Sequence, residues 1–273
     1  MILITGSTGN VGREIVRNLQ AEGIPFETAS HRKDHGDRYL NFEDASSFSG
    51  ALQGIDSVFL MRPPHLADVN KYFRPFIEEA VKQRVQHIVF LSVLGADKNK
   101  IVPHAKIEKV LLDSKIPYTF LRPSFFMQNL LTEHGEELRK KHDIYVPAGK
   151  GKTSFIDVRD IGIAAMKTLI QEEHRGKSYD LTGSEALSYR EVADIFSRIT
   201  GESFTYSNPS ILEFWNTYRK KGMSRDKIVV MVGIYTTAKI GFAKRVTSDL
   251  QDILGHAPIT FEQFVRDNRD SLK

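Results

Sequence analysis

The chain contains no cysteine. That excludes disulfides, thiolate zinc sites and cysteine nucleophiles, and is compatible with a reducing cytoplasm. It also lacks any apolar run approaching the roughly 18 residues of a membrane span, so we expect no membrane partner. Charge of one sign is in short supply: 38 basic and 34 acidic side chains leave a formal net charge of +4. An imbalance that mild does not argue for nucleic-acid binding. No internal repeat or low-complexity tract interrupts the pattern, and no cluster of metal-ligating spacing is evident, so no metal is expected. The chain opens directly on a core strand, from which we expect no signal peptide and a cytoplasmic protein. At 273 residues, 41% hydrophobic and 26% charged, it has room for one large or two modest domains.

Ile2 to Ile4 is a short apolar run that predicts a buried strand, and Gly6, Gly9 and Gly12 follow at three-residue spacing. From Val11 the pattern turns helical, with Val11, Ile15, Val16 and Leu19 on one face. Strand, glycine turn and helix in that order open a dinucleotide-binding βαβ unit. Gly6 allows the tight turn, Gly9 lets the backbone come within reach of a pyrophosphate, and Gly12 lets the helix pack closely on the strand. Ser7, Thr8, Asn10 and Val11 complete the loop, whose free N–H groups lie at the positive end of the helix dipole.

Strands are predicted at Pro25 to Ser30, Arg38 to Phe42, Asp56 to Met61, His87 to Ser92 and Tyr118 to Leu121. Helical patterns fall between them, at Ser46 to Leu52, at Val69 to Val81 with Pro75 either kinking the helix or setting its true start, and across about 103 to 115. Such alternation indicates an α/β fold, a doubly wound parallel sheet of Rossmann-like type. Arg32 and Lys33 follow the second strand, where a basic residue accommodates a 2′-phosphate and an acidic one takes ribose hydroxyls. They favour NADPH over NADH, the other reading being a solvated basic loop. Met61, Arg62 and Pro63 end the fourth strand, and ligands of such sheets sit beyond the carboxyl ends of the strands. Past Arg122 the rhythm loosens, and we expect a smaller, partly helical C-terminal lobe. Further strands are predicted at Ser154 to Val158 and Lys177 to Leu181, around a helix from Asp160 to about Gln171. Residues 209–245 read as two helices with eight basic and two acidic side chains, more in keeping with a solvated face than a DNA-binding surface. Periodicity leaves Ile228 to Ile234 open between helix and strand.

The segments Thr5 to Gly12, Arg32, His104-Ala105-Lys106 and Ile116 to Asn129 resemble the NmrA-like family of atypical short-chain dehydrogenases. Phe155 to Ile161 and Thr260 to Phe264 extend the resemblance nearly end to end. The resemblance implies a Rossmann-like NADP-binding core over residues 1–123. It implies a mixed region over 124–273 that returns strands and a helix to the core and forms a substrate lobe. It also implies either of two functions, an NADPH-dependent reductase of an aromatic, quinone-like or dye-like acceptor, or a non-catalytic NADP(H) sensor. Carried over, the glycine loop holds the pyrophosphate and Arg32 the 2′-phosphate, while Asn41 and Phe42 lie by the adenine. Met61 to Pro63 and Ser92 to Val93 flank the nicotinamide, and Lys106 lies near its ribose; the other reading of Lys106 is an exposed helix lysine. One departure stands out. Short-chain dehydrogenases use Tyr-x-x-x-Lys for proton transfer, but four residues before Lys106 stands Val102. Tyr235 and Lys239 share that spacing far from the expected place, and we treat them as coincidence. His104 and Ser92 are the candidate proton donors. Phe125, Phe126, Met127 and Trp215, with polar Gln128 and Asn129, are candidates for holding a small aromatic substrate. The sequence leaves a homo-oligomer open.

Overall fold

The computed structural model describes residues 1–32 and 34–272; Lys33, expected beside the 2′-phosphate, lies outside them. In chain order, β1 (Ile2–Thr5), α1 (Asn10–Ala21), β2 (Phe26–Ser30), β3 (Arg38–Tyr39) and α2 (Ser47–Leu52) come first. They are followed by β4 (Ser57–Met61), α3 (Val69–Lys82), β5 (His87–Leu91), α4 (Pro103–Ser114) and β6 (Tyr118–Pro123). Next are α5 (Gln128–Thr132), α6 (Gly135–Lys141), β7 (Asp143–Ile144), β8 (Lys152–Thr153), α7 (Val158–Ile170) and β9 (Lys177–Leu181). The remaining elements are β10 (Leu187–Ser188), α8 (Tyr189–Thr200), β11 (Thr205–Tyr206), α9 (Ile211–Lys220), α10 (Arg225–Lys239), α11 (Asp249–Leu254) and α12 (Phe261–Asp267).

Two compact units divide these elements, the first made of Met1–Pro123, Val158–Leu181 and Asp252–Gly255. Its seven-stranded sheet runs in the order β3-β2-β1-β4-β5-β6-β9, and every pairing is parallel. The pleat sends alternate residues to opposite faces. Leu3, Val58, Leu60, Ile88, Phe90 and Phe120 belong to one buried cluster with residues of α2, α3 and α4. Ile4, Phe59, Val89 and Leu121, also buried, have the other parity and lie on the side of α1 and α7. A sheet covered on both faces has no solvent side, which is why β4 and β5 read as unbroken apolar runs. On the second face α7 comes close to α1 because residue 162 is glycine. A Cβ there would sit 2.5 Å from Glu14 Cβ.

Strand order reverses between β1 and β4, the point at which such sheets open a crevice. Thr5 fastens those two strand ends together. Its buried hydroxyl donates to the Phe59 carbonyl at 2.9 Å and accepts from the Met61 amide at 2.9 Å. The carboxyl end of β4 is thereby fixed beside the glycine loop.

The second unit is helical, with two short strand pairs, β10–β8 antiparallel and β11–β7 parallel. Its core is strongly aromatic, built on Phe155, Tyr189, Phe196, Phe214, Tyr218, Tyr235, Phe261 and Phe264. Capping boxes start two of its helices. Ser188 with Glu191 opens α8, and Ser210 with Glu213 opens α9.

Two elements differ from the sequence expectations, each for a local reason, and two points left open there are decided by the structure. The strand predicted over Arg38 to Phe42 ends at Tyr39, because Asn41 turns the chain: its side-chain oxygen accepts the Glu43 amide at 3.0 Å. No strand spans Ser154 to Val158. Only Ile156 bridges, to Phe126, whose own segment enters α5 two residues later, and Val158 already begins α7. Pro75 lies inside α3, whose start is set by Asp68 accepting the Lys71 amide. Ile228 to Ile234 is helical, within α10.

Replacing Thr5 by valine keeps the shape and removes the hydroxyl, leaving a buried amide and a buried carbonyl unpaired. Each such loss costs about 1–3 kcal/mol. Urea denaturation should therefore show a clearly lowered midpoint for Thr5→Val and a near-normal one for Thr5→Ser. An unchanged midpoint for the valine variant would remove the clasp from the account.

Candidate functional site

The glycine loop joins β1 to α1 at the reversal of strand order. Gly6 takes a left-handed φ of +66°, and the Gly9 amide donates to its carbonyl at 3.0 Å, closing the turn. A Cβ on Gly12 would lie 2.1 Å from the Gly6 carbonyl oxygen, so helix and loop meet backbone to backbone. At Gly6 the Met61 side-chain end stands where a Cβ would be, but a flexible methionine can shift; it is the left-handed φ that calls for glycine there. Gly9 differs. A Cβ there would stand 3.3 Å from the Gly6 oxygen and 3.5 Å from Met61 Cε, tight but close to ordinary contact. The fold requires glycine at 6 and 12 and asks for it only weakly at 9.

Gly9 is the N-cap of α1, with no side-chain cap and no acidic residue in the first turn. The first backbone bond into the helix is donated by Arg13, to the Gly9 carbonyl at 3.0 Å. The amides of the preceding turn have no partner within the helix. Among the described residues, the hydroxyls of Ser7 and Thr8 are uncommitted too. Asn10 accepts from Arg13 at 3.4 Å, and Val11 is buried in the core. Uncommitted donors at the positive end of a twelve-residue helix form an anion site.

Arg32 lies just past β2, exposed, its amide bonded to Ser30 Oγ at 3.1 Å. Among the described residues its guanidinium has no carboxylate partner. Glu27 on β2, the acid that could have competed for a ribose, is paired with Arg38, and Asp34 is 3.3 Å from His35. Asn41 is spent on its own turn, and Phe42 is held in an aromatic cluster with Phe48, Phe73 and Phe76. Beyond β4, Arg62 donates to the carbonyls of Pro63, Pro64 and Leu66 at 2.9–3.0 Å, bracing the loop that carries Pro63. Its burial lowers its pKa.

At the carboxyl ends of β5 and β6 the structure brings together side chains that the sequence did not single out as a group. Ser92, buried just past β5, donates to Glu108 Oε1 at 2.5 Å. Arg122 on β6 grips the same carboxylate through Nε at 2.9 Å and Nη2 at 2.7 Å, with Asp180 of β9 at 4.0 Å. Glu108 is only 4% exposed. Burial works against the Arg122 charge, but hydrogen bonding and the carboxylates around it raise its pKa overall. The signal for this cluster was present: an acid within the apolar stripe of Ile107, Val110 and Leu111, and an arginine ending a buried strand. With its proton directed at Glu108, Ser92 anchors the turn bearing Val93. His104, on α4, has its pKa lowered to about 4 by burial first and then by the Arg62 charge. It is a neutral imidazole at pH 7. Lys106 is exposed and lines a cavity of about 340 Å³ with Asp68, Asn70, Arg74 and Lys109, between α3 and α4. The structure thus does not bring Lys106 into the Ser92 cluster.

The residues expected at a substrate belong to the second unit. Phe125 packs edge-on against Phe155, with ring centroids 5.7 Å apart, and Phe126 makes the backbone bridge to Ile156. Met127, 2% exposed, is core. Gln128 donates to Asp157 at 2.8 Å. Asn129 and Trp215 are part-buried.

Residues 1–223 match the model of the NmrA-like family. The chain belongs to the NmrA-like family. An NmrA-like relative, the NAD(P)H azoreductase of Xenophilus azovorans, is 30% identical over 280 residues, 97% of each chain. Two solved structures share the fold. The NADPH-dependent quinone oxidoreductase of Escherichia coli, complexed with NADPH, superposes with a TM-score of 0.89 at 24% identity, covering 98% of this chain and 99% of that one. The Citrobacter sp. triphenylmethane reductase, complexed with NADP(H), gives 0.87 at 22%, covering 97% and 99%.

The unequal demands on the three glycines give a direct test. Gly12→Ala should lower thermal stability by several degrees, because backbone must move to admit the methyl group, an overpacking that costs about 1–3 kcal/mol. Gly9→Val should melt close to wild type and yet lose affinity for dinucleotides, its side chain standing where the pyrophosphate approaches. A Gly9→Val protein that binds NADPH normally would reduce the loop to a structural turn.

Proposed function

We propose that this protein is an NADPH-dependent reductase that passes hydride to an aromatic acceptor of quinone, azo or dye type. The observation carrying the reading is the glycine loop: uncommitted donors at the start of α1, with Arg32, which has no carboxylate partner among the described residues, just past the neighbouring strand. The activities of the azoreductase and quinone oxidoreductase relatives support it.

The first unit's residues fit the cofactor. The loop amides between Ser7 and Gly12 other than that of Gly9 take the pyrophosphate, Arg32 takes the 2′-phosphate, and Met61, Pro63 and Val93 flank the nicotinamide. When bound, NADPH supplies the hydride. The protein's own part is to hold and orient that nucleotide. Thr5 fixes Met61 against the loop, and the Glu108–Arg122 pair fixes Ser92 and Val93. Neither candidate donor offers a strong acid, since the Ser92 proton is held by Glu108 and His104 is neutral. Acceptors that take a hydride without a dedicated acid, and are protonated by water, suit this arrangement. Phe125, Phe126 and Trp215, with Asn129, are the residues we assign to the acceptor; buried Met127 supports them from behind. Lys106 keeps the nicotinamide-ribose role only if the exposed side chain turns from its groove.

The test is NADPH oxidation by the purified protein across a panel of quinones, azo compounds and cationic dyes. Turnover well above the uncatalysed rate with at least one acceptor is expected. A protein that binds NADPH but is silent across the panel is a sensor. Arg32→Ala should weaken NADPH binding by roughly tenfold or more and leave NADH binding almost unchanged, since a charge-assisted contact contributes about 1.5–3 kcal/mol. Calorimetry at low salt reads both. Equal losses for the two cofactors would move the 2′-phosphate away from Arg32.

A further inference from the structure

On α10 one face is anchored and the opposite face is apolar without cover. Ile228, Met231, Tyr235 and Ala238 are buried in the second unit's core. Val229, Val230 and Ile234 point away from it, at 57%, 61% and 40% exposure. Gly233 lies among them with open space where a Cβ would be. The turn after the helix exposes Ile240 at 58% and Phe242 at 74%. A surface helix normally turns charged or polar residues to this side, and contiguous apolar surface on a folded chain marks a place where something docks.

The charge around the face indicates what docks there. Residues 209–245 carry eight basic and two acidic side chains. Lys227 is paired with Glu133, and Lys221 with Glu136 and Glu137. Among the described residues Arg225, Lys239 and Lys244 form no ion pair. They sit at the start of α10, at its end and just beyond it; one acid, Asp226, stands beside Arg225, so cations outnumber acids along the strip and dominate at its C-terminal end. A second copy of the chain would bring these same cations toward one another. An anionic lipid surface would instead receive the apolar side chains between headgroups and hold the cations at the phosphate level.

We propose that the outer face of α10, with Ile240 and Phe242, docks on anionic membrane surfaces. No helix among the described residues is long and apolar enough to cross a membrane, and this is contact from one side, which the absence of long apolar runs did not address. The surface belongs to the second unit alone, and its test needs no turnover.

Purified protein would be sedimented with vesicles of phosphatidylcholine alone and of phosphatidylcholine mixed with phosphatidylglycerol, at low and high salt. Binding to the mixed vesicles only, weakened by salt, is expected. Arg225→Glu with Lys244→Glu should weaken it by well over roughly fivefold per site, and Val230→Asp should do so with circular dichroism unchanged. The charge variants lie on the surface and keep the test informative if Val230→Asp misfolds. No sedimentation with either vesicle, or binding indifferent to the variants, overturns the proposal. So does a dimer by light scattering that Val230→Asp dissolves, which would give the face to a second copy.

Discussion

Everything in the first unit depends on how closely two pieces of backbone meet where β1 becomes α1. The Gly6 carbonyl lies where a side chain on residue 12 would have to be. That contact sets the angle at which α1 leaves the sheet and leaves its first-turn amides facing outward. Thr5, one residue earlier, ties the same point to the end of β4. Two backbone requirements and one hydroxyl thus prepare an anion site before any ligand arrives, so little ordering is left to oppose binding. Gly9 is the one of the three glycines on which the fold makes the weakest demand.

The parts of this arrangement that follow a period were legible in the sequence. Apolar runs in β4 and β5, the stripe of α1 and the glycine spacing are local patterns, and they led to the doubly wound sheet and to a dinucleotide. Side-chain pairs made across distant segments were not legible. Glu108 and Arg122 are fourteen positions apart, and although each stands out in an apolar setting, neither names the other as its partner. Only the fold puts them on one carboxylate and draws in Ser92. Lys106 is the reverse case: its surroundings in the sequence fit a reductase, but helical geometry turns it toward the groove between α3 and α4. The short β3 and the missing strand near Ile156 were misread because single residues, Asn41 and the start of α5, cut off ladders that the composition allowed.

Each unit ties a buried titratable group to fixed partners. Glu108 is gripped by Arg122 and accepts from Ser92. His134, fully buried in the second unit, has its pKa lowered to about 3 by burial, then by Lys221 and Lys227. It is hydrogen-bonded to Tyr218 at 2.8 Å and to Tyr235. The Tyr235 hydroxyl, whose spacing to Lys239 mimics a dehydrogenase motif, is thus engaged inside an aromatic core. On the proposed reading, a chain with Val102 where the Tyr-x-x-x-Lys pattern has tyrosine suits acceptors that draw hydride readily.

The central claim is that hydride leaves a nucleotide held by the glycine loop. A single turnover followed by stopped flow, with NADPH and with NADPH deuterated at C4, tests it most directly. The account predicts that a quinone or dye acceptor oxidises the bound nucleotide and that deuterium slows the step. Bound NADPH that stays reduced before every acceptor, at the rate of the free mixture, would contradict it.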